Sequence, residues 1–264
     1  MFFVSDALLD QILADDIPYG DATTALLGIE IVPGIVRCRP KAETTIAGVT
    51  LAERLFARVG LQTIRFHEEG DTVTAGTVIL EGRGSAGAIH AVYKTAQNIL
   101  EYASGIATRT HQMVEEARVG NPLCRVAVTR KHFPGTKTLS LYAAITGGAV
   151  VHRMGLSESV LVFDQHRVFI ADFEKRLTEA KKADPERKIA VEAAQRAEHV
   201  GPAAESRAAH PENVALVVVL APVLLHAAQD APPAEGIAQV VDETARSPRI
   251  LELRAVGAGD QLRR

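Results

Sequence analysis

Arg125-Val126-Ala127-Val128-Thr129-Arg130-Lys131-His132-Phe133-Pro134-Gly135-Thr136-Lys137 is a short β-branched run that ends in two cations, turns on Pro-Gly and gives way to helix-length sequence. A strand over 125–129 and a helix over 136–146 follow from that change of period. The alternation continues, and strands are predicted at 149–152, 160–163, 189–192 and 214–220, with a further helix at 172–183. Repeated βα units build parallel strands with helices outside them. In a parallel barrel the carboxyl ends of the strands face the active site. Those ends carry Arg130 and Lys131, His152 and Arg153, Asp164, Glu192 and Leu220. Because all but the last are charged or titratable, the pattern predicts a pocket for anions rather than a uniformly solvated face.

Upstream the grammar differs. Residues 5–14 read as a helix with Ser5 as N-cap, and residues 15–24 as an ordered loop. Short β-rich runs at 31–39, 45–47, 63–67 and 72–80, interrupted by a helix at 49–59, predict an α+β unit. A helical stretch over 88–103 then links it to the βα repeats. The expected division is 1–103 and 104–264.

Composition narrows the function. With 264 residues, 47% hydrophobic and 23% charged, the chain can bury roughly 70% of its unfolded surface without a metal or disulfide. Cys38 and Cys124 form no CxxC or Cys/His cluster, which predicts a reducing compartment. No basic leader precedes Asp6 and Asp10, and the longest apolar run, 214–225, contains Pro222 and is too short to cross a bilayer. A cytoplasmic protein with no membrane partner is expected. The net charge of -3 conceals a basic middle, since residues 94–167 hold nine Lys/Arg against five Asp/Glu. Without tryptophan and with few other aromatics there is no stacking platform for nucleic acid. Small anionic ligands are the expected partners.

Other motifs compete and lose. Gly82-Arg83-Gly84-Ser85-Ala86-Gly87 matches the dinucleotide fingerprint, yet no second strand arrives within a 30-residue βαβ unit. It is expected to be a glycine-rich turn. Glu69-Gly70-Asp71-Thr72-Val73 with Gly76 has the look of a biotinyl-carrier turn but lacks a lysine at the hairpin tip. There is no GxSxG, and His67, His90, His111, His199, His210 and His226 lack ligand-like spacing. His132 and His152 differ in adjoining basic residues, which suits them to donate hydrogen bonds to an anion.

The run from Thr129 to Lys137, followed by Gly147-Gly148, Val151-His152-Arg153-Met154-Gly155-Leu156 and Asp164-Gln165-His166, resembles the core of quinolinate phosphoribosyltransferases. Ala103-Ser104-Gly105-Ile106-Ala107-Thr108 and residues 16–24 match the family's other stretches. His132-Phe133 after Thr-Arg-Lys, and Phe163-Asp164-Gln165-His166, are most similar to its ModD branch, associated with molybdenum transport. The resemblance implies an α/β fold, an N-terminal α/β sandwich followed by an incomplete parallel α/β barrel, in a homodimer. It implies that phosphoribosyl pyrophosphate and quinolinate give nicotinate mononucleotide, pyrophosphate and carbon dioxide, with Mg2+ assisting. Carried over by position, Thr129, Arg130, His152, Arg153 and Lys137 bind substrate, Lys94 is donated by the neighbouring subunit, and Lys131 and Glu192 are catalytic.

These residue types suit that chemistry. Two unit charges about 6 Å apart repel by roughly 3 kcal/mol at an effective dielectric of 20, and an anionic substrate relieves that repulsion. As the ribose carbon gains positive charge and pyrophosphate departs, Glu192 would stabilise one end and Lys131 with Mg2+ the other. Several positions depart from the family. Phe163 stands where a lysine is expected, Leu220 where an aspartate is, and Lys94 and Lys137 where arginine is usual. The family's glycine-rich phosphate loops are not recognisable in 228–264, where one strand is expected at 249–253. These departures weaken quinolinate or ribose binding, so a second reading is a catalytically impaired relative that binds an oxyanion or nucleotide in molybdenum utilisation.

Overall fold

The computed structural model describes residues 3–191, 216–219 and 251–257. Helix α1 (Asp6–Asp16) begins as expected at Ser5, whose side chain accepts from the Leu8 N–H. The segment read as loop contains a short helix, α2 (Ala22–Leu26), because the Asp21 side chain caps it by accepting from the Thr23 N–H. Strands β1 (Pro33–Pro40) and β2 (Thr44–Thr45), helix α3 (Val49–Arg58), and strands β3 (Gln62–Arg65), β4 (Thr72–Val73) and β5 (Leu80–Ser85) follow. The single strand expected over 72–80 is therefore two short pieces joined by a turn at Gly76, whose φ is +80°.

An antiparallel sheet of order β11-β1-β5-β3 forms one layer, where β11 is Leu251–Gly257. Val36 faces Gly82 and Cys38 faces Leu80 across β1 and β5. This corrects the reading of Gly82 and Gly84 as a turn, since both lie inside β5. Their lack of a side chain serves packing: a Cβ on Gly82 would sit 2.8 Å from Phe56 Cδ2, and one on Gly84 2.5 Å from Leu61 Cδ2. Helix α3 buries Val49, Leu51, Ala52, Leu55 and Phe56 toward this core.

Helix α4 (Ala86–Gly120) is the axis of the molecule. Capped by Ser85, it runs 35 residues, about 50 Å at 1.5 Å per residue. Buried positions recur every three or four residues, from Ile89 and Val92 through Ala103 and Ala107 to Val114. The helix passes without a break through the expected boundary at 103/104, and β11, from the stretch assigned to the second domain, pairs with β1 of the first.

Beyond α4 come β6 (Arg125–Val128), α5 (Lys137–Thr146), β7 (Val150–Val151), β8 (Val160–Val162), α6 (Asp164–Arg167), α7 (Phe173–Ala183), β9 (Ile189–Val191) and β10 (Leu216–Val219). Every pairing among these strands is parallel, in a sheet of order β10-β6-β7 and a pair β8-β9. The α/β class read from the sequence stands, and no closed barrel forms among the described residues. Helix α5 lies close to α4 because the contact is made of Ala47, Ala103, Ala107 and Ala143.

Candidate active site

The site is built from the register of β6 and β7. Ala127 pairs with Val150 and Val128 with Val151, and the His152 N–H continues the ladder by donating to the Val128 carbonyl at 3.0 Å. Thr129-Arg130 and His152-Arg153 therefore leave the sheet side by side at its carboxyl edge. Arg130 and Arg153 both line a cavity of about 510 Å³. Arg153 is 8% exposed, donates to the Ser159 carbonyl at 3.4 Å and lies 6.0 Å from the Phe163 ring centroid. Thr129 Oγ1 is buried with no hydrogen-bond partner among the described residues, and an unpaired buried hydroxyl costs stability.

Among the described residues the charge lining the cavity has one sign: Arg130, Arg153 and Arg176 line it together with His166, and no described Asp or Glu does. Arg176 is paired with Glu179 at 3.3 Å. His166 Nδ1 accepts from the Phe163 N–H at 2.9 Å, which puts its proton on Nε2 and leaves a donor there. Apart from Ser159, the remaining described wall is apolar, including Val160, Phe173 and Leu177. Cations on an apolar wall interact with an anion more strongly than they would in water.

The loop between β6 and α5 adds to the positive field. Lys131 is exposed, His132 is half-buried, and Lys137 is the first residue of α5. A helix N-terminus already carries about half a positive charge, so cations gathered there are disfavoured until an anion arrives. Lys131 and Lys137 do not line the cavity, and neither does Lys94. Lys94 projects from α4, where it donates to Gln97 Oε1 at 2.9 Å and sits 5.7 Å from the Tyr93 ring centroid. Asp164, read as a strand-end group, is paired with Arg167 at 3.3 Å. Glu192 and Leu220 lie outside the described residues.

His166 and Arg176 are lining residues that the sequence reading does not assign to the site, and Phe163 enters that reading only as a departure from the family. For Arg176 a signal existed: Phe173, Arg176, Leu177 and Ala180 follow helical spacing and share one face of α7. No group of three or more His, Cys, Asp or Glu side chains among the described residues could hold a metal ion.

The family profile "Quinolinate phosphoribosyl transferase, N-terminal domain" matches residues 21–104, and "Quinolinate phosphoribosyl transferase, C-terminal domain" matches 106–226. A Rhodobacter capsulatus protein named "Putative pyrophosphorylase ModD" is 39% identical over 227 residues, 83% of this chain and 87% of its own. Its namesake from Pasteurella multocida is 37% identical over 196 residues, 73% of this chain and 70% of its own. Among solved structures, NadC from Streptococcus pyogenes superposes with a TM-score of 0.66 at 27% identity, covering 71% of this chain and 67% of NadC. The chain therefore belongs to the quinolinate phosphoribosyl transferase family.

Proposed function

We propose that this chain transfers the ribosyl 5-phosphate group of phosphoribosyl pyrophosphate to a pyridine carboxylate such as quinolinate, a step of nicotinate nucleotide formation in NAD biosynthesis. The observation that carries the reading is the adjacency of Arg130 and Arg153 in one cavity, lined by no carboxylate among the described residues. In the reaction the pyridine nitrogen bonds to the anomeric carbon as the bond to pyrophosphate breaks. With quinolinate, the carboxyl group beside the nitrogen then leaves as carbon dioxide and its electron pair is protonated on the ring. Arg130 and Arg153 hold the acceptor carboxylates, with His152 and Thr129 as hydrogen-bonding groups beside them. Lys131 and Lys137 meet the phosphates, and Glu192 faces the ribose. Mg2+ would enter as the complex with phosphoribosyl pyrophosphate, where with Lys131 it would stabilise the charge on the departing pyrophosphate.

The active form is a cytoplasmic homodimer in which Lys94 completes the partner's site. Exposed Tyr19, Leu26, Leu27 and Ile31 around α2 support such an interface. No helix among the described residues is long and apolar enough to cross a membrane.

The test is pyrophosphate release from phosphoribosyl pyrophosphate and Mg2+ with quinolinate or nicotinate. Turnover by the wild type, and its loss in Arg130→Ala and Arg153→Ala, is expected. The reading is overturned if the wild type releases no pyrophosphate with either acceptor. Binding without turnover would favour the second reading, an oxyanion- or nucleotide-binding relative in molybdenum utilisation, to which the apolar Phe163 at the strand end lends support.

A further inference from the structure

Three hydroxyls tie the basic loop to the long helix. Tyr102, on α4, places its OH 3.1 Å from Thr136 Oγ1 and 2.8 Å from Ser140 Oγ. Thr136 Oγ1 donates to the Phe133 carbonyl at 2.8 Å, and the Thr136 N–H donates to the same oxygen at 3.1 Å. Ser140 Oγ donates to the Thr136 carbonyl at 2.9 Å. The chain from Tyr102 through Thr136 to Phe133 thus closes the turn that holds Arg130, Lys131 and His132 at one end and Lys137 at the other.

This loop needs such a tie. Lys131, Phe133, Pro134 and Gly135 are exposed, and Gly135 has a φ of +86°. With Phe133 60% exposed, little apolar burial holds the loop. Its cations repel one another and the positive end of α5, so an untethered loop would spread outward. Tyr102 is itself 39% exposed and lies on a different element from the cavity lining. It does not serve the core of α4, whose buried positions include Ala103 and Ser104 but not Tyr102.

We propose that Tyr102 is a positioning residue, which acts through the Thr136 hydroxyl to hold the 130–136 loop closed for the anionic substrate. This rests on the transferase reading above. A preorganised loop lowers the cost of ordering on binding, so its loss falls on KM more than on kcat.

The test compares Tyr102→Phe, Thr136→Val and Thr136→Ser with the wild type by amide hydrogen exchange over residues 130–137, thermal denaturation, and steady-state kinetics with phosphoribosyl pyrophosphate and quinolinate. Tyr102→Phe and Thr136→Val should exchange faster in this segment and raise KM about fivefold, the effect of one neutral hydrogen bond, with kcat within about twofold. Thr136→Ser, which keeps the hydroxyl, should match the wild type in both. Unchanged exchange in Tyr102→Phe, or a loss of kcat with KM unaltered, overturns the proposal. Exchange needs no turnover, so an inactive wild type in which Tyr102→Phe still loosens the loop would refute the transferase reading and leave the tether standing.

Discussion

Replacing Gly147 with alanine tests whether the contact between α4 and α5 is as close as the structure draws it. Gly147 caps the C-terminus of α5 with a φ of -73°, a conformation alanine adopts freely. Backbone preference alone therefore favours the substitution by up to about 1 kcal/mol. Space opposes it. The added Cβ would lie 2.5 Å from the Ala107 carbonyl oxygen and 2.7 Å from Thr110 Cβ, where ordinary contact begins at 3.4 Å. The obstructing oxygen is helix backbone, so relief requires the two helices to part by about 0.9 Å. Parting them would loosen the alanine contact of Ala47, Ala103, Ala107 and Ala143 as well. Overpacking of this kind costs roughly 1–3 kcal/mol, leaving with the full offset a net loss of up to about 2 kcal/mol and a Tm lower by up to about 8 °C. Thermal and urea denaturation would measure it, with Gly120→Ala as control. Gly120 has open space around it, and its alanine variant should be as stable as the wild type or more so. A Gly147→Ala protein that melts at or above the wild-type temperature would refute the geometry.

Other expectations follow from the N-terminal sheet. Gly82→Ala should destabilise by about 1–3 kcal/mol, because the buried Phe56 ring blocks the new methyl, and neither the variant nor the wild type should bind NAD in a titration. Glu81 is 4% exposed and accepts from Arg37 Nε at 2.6 Å and Arg83 Nε at 2.7 Å. Burial pushes its carboxyl up, but the Arg83 and Arg37 guanidiniums outweigh that and hold it below the usual range. Its stabilising effect is therefore present above the unfolded value and lost as pH falls through the folded one. Glu81→Gln should lose about 1–3 kcal/mol near neutrality, and its stability should decline less steeply below pH 4.5 in chemical denaturation. Burial pushes the Cys38 thiol up to about 12 from 9.0. The unfolded chain thus releases this proton first, and stability falls between those values as pH rises. A Cys38→Ala variant should show a shallower alkaline decline, and native Cys38 should resist thiol reagents until the protein unfolds.

The parallel half was legible because its signals are local. Strands β6, β8 and β9 and helices α5 and α7 each fall within a residue or so of their expected places. Cations at the ends of β6 and β7 could be paired from strand polarity alone. What escaped depends on partners distant in sequence. The Glu69-Gly70-Asp71 turn serves helix α3: Glu69 accepts from the Gly48 and Thr50 N–H groups at 2.9 and 2.8 Å, capping α3 from outside it. Burial, and after it the same carboxylate, push the phenol of Tyr142 on α5 up. Nothing in a local window shows that residue 142 meets residue 69. Likewise the glycines of β5 answer to Phe56 and Leu61, and no spacing rule separates such a strand from a phosphate-binding turn.

The pairing of β11 with β1 joins positions more than 200 residues apart, Gly34 to Gly257 and Pro40 to Leu251. During synthesis the first sheet must wait for residue 257 to leave the ribosome before β1 gains its second neighbour. Until then one border of β1 offers unsatisfied amides and carbonyls to any passing strand. A chain cut short before residue 251 would keep that border permanently, so nonsense alleles should produce insoluble protein even where every residue of the basic cavity has been made.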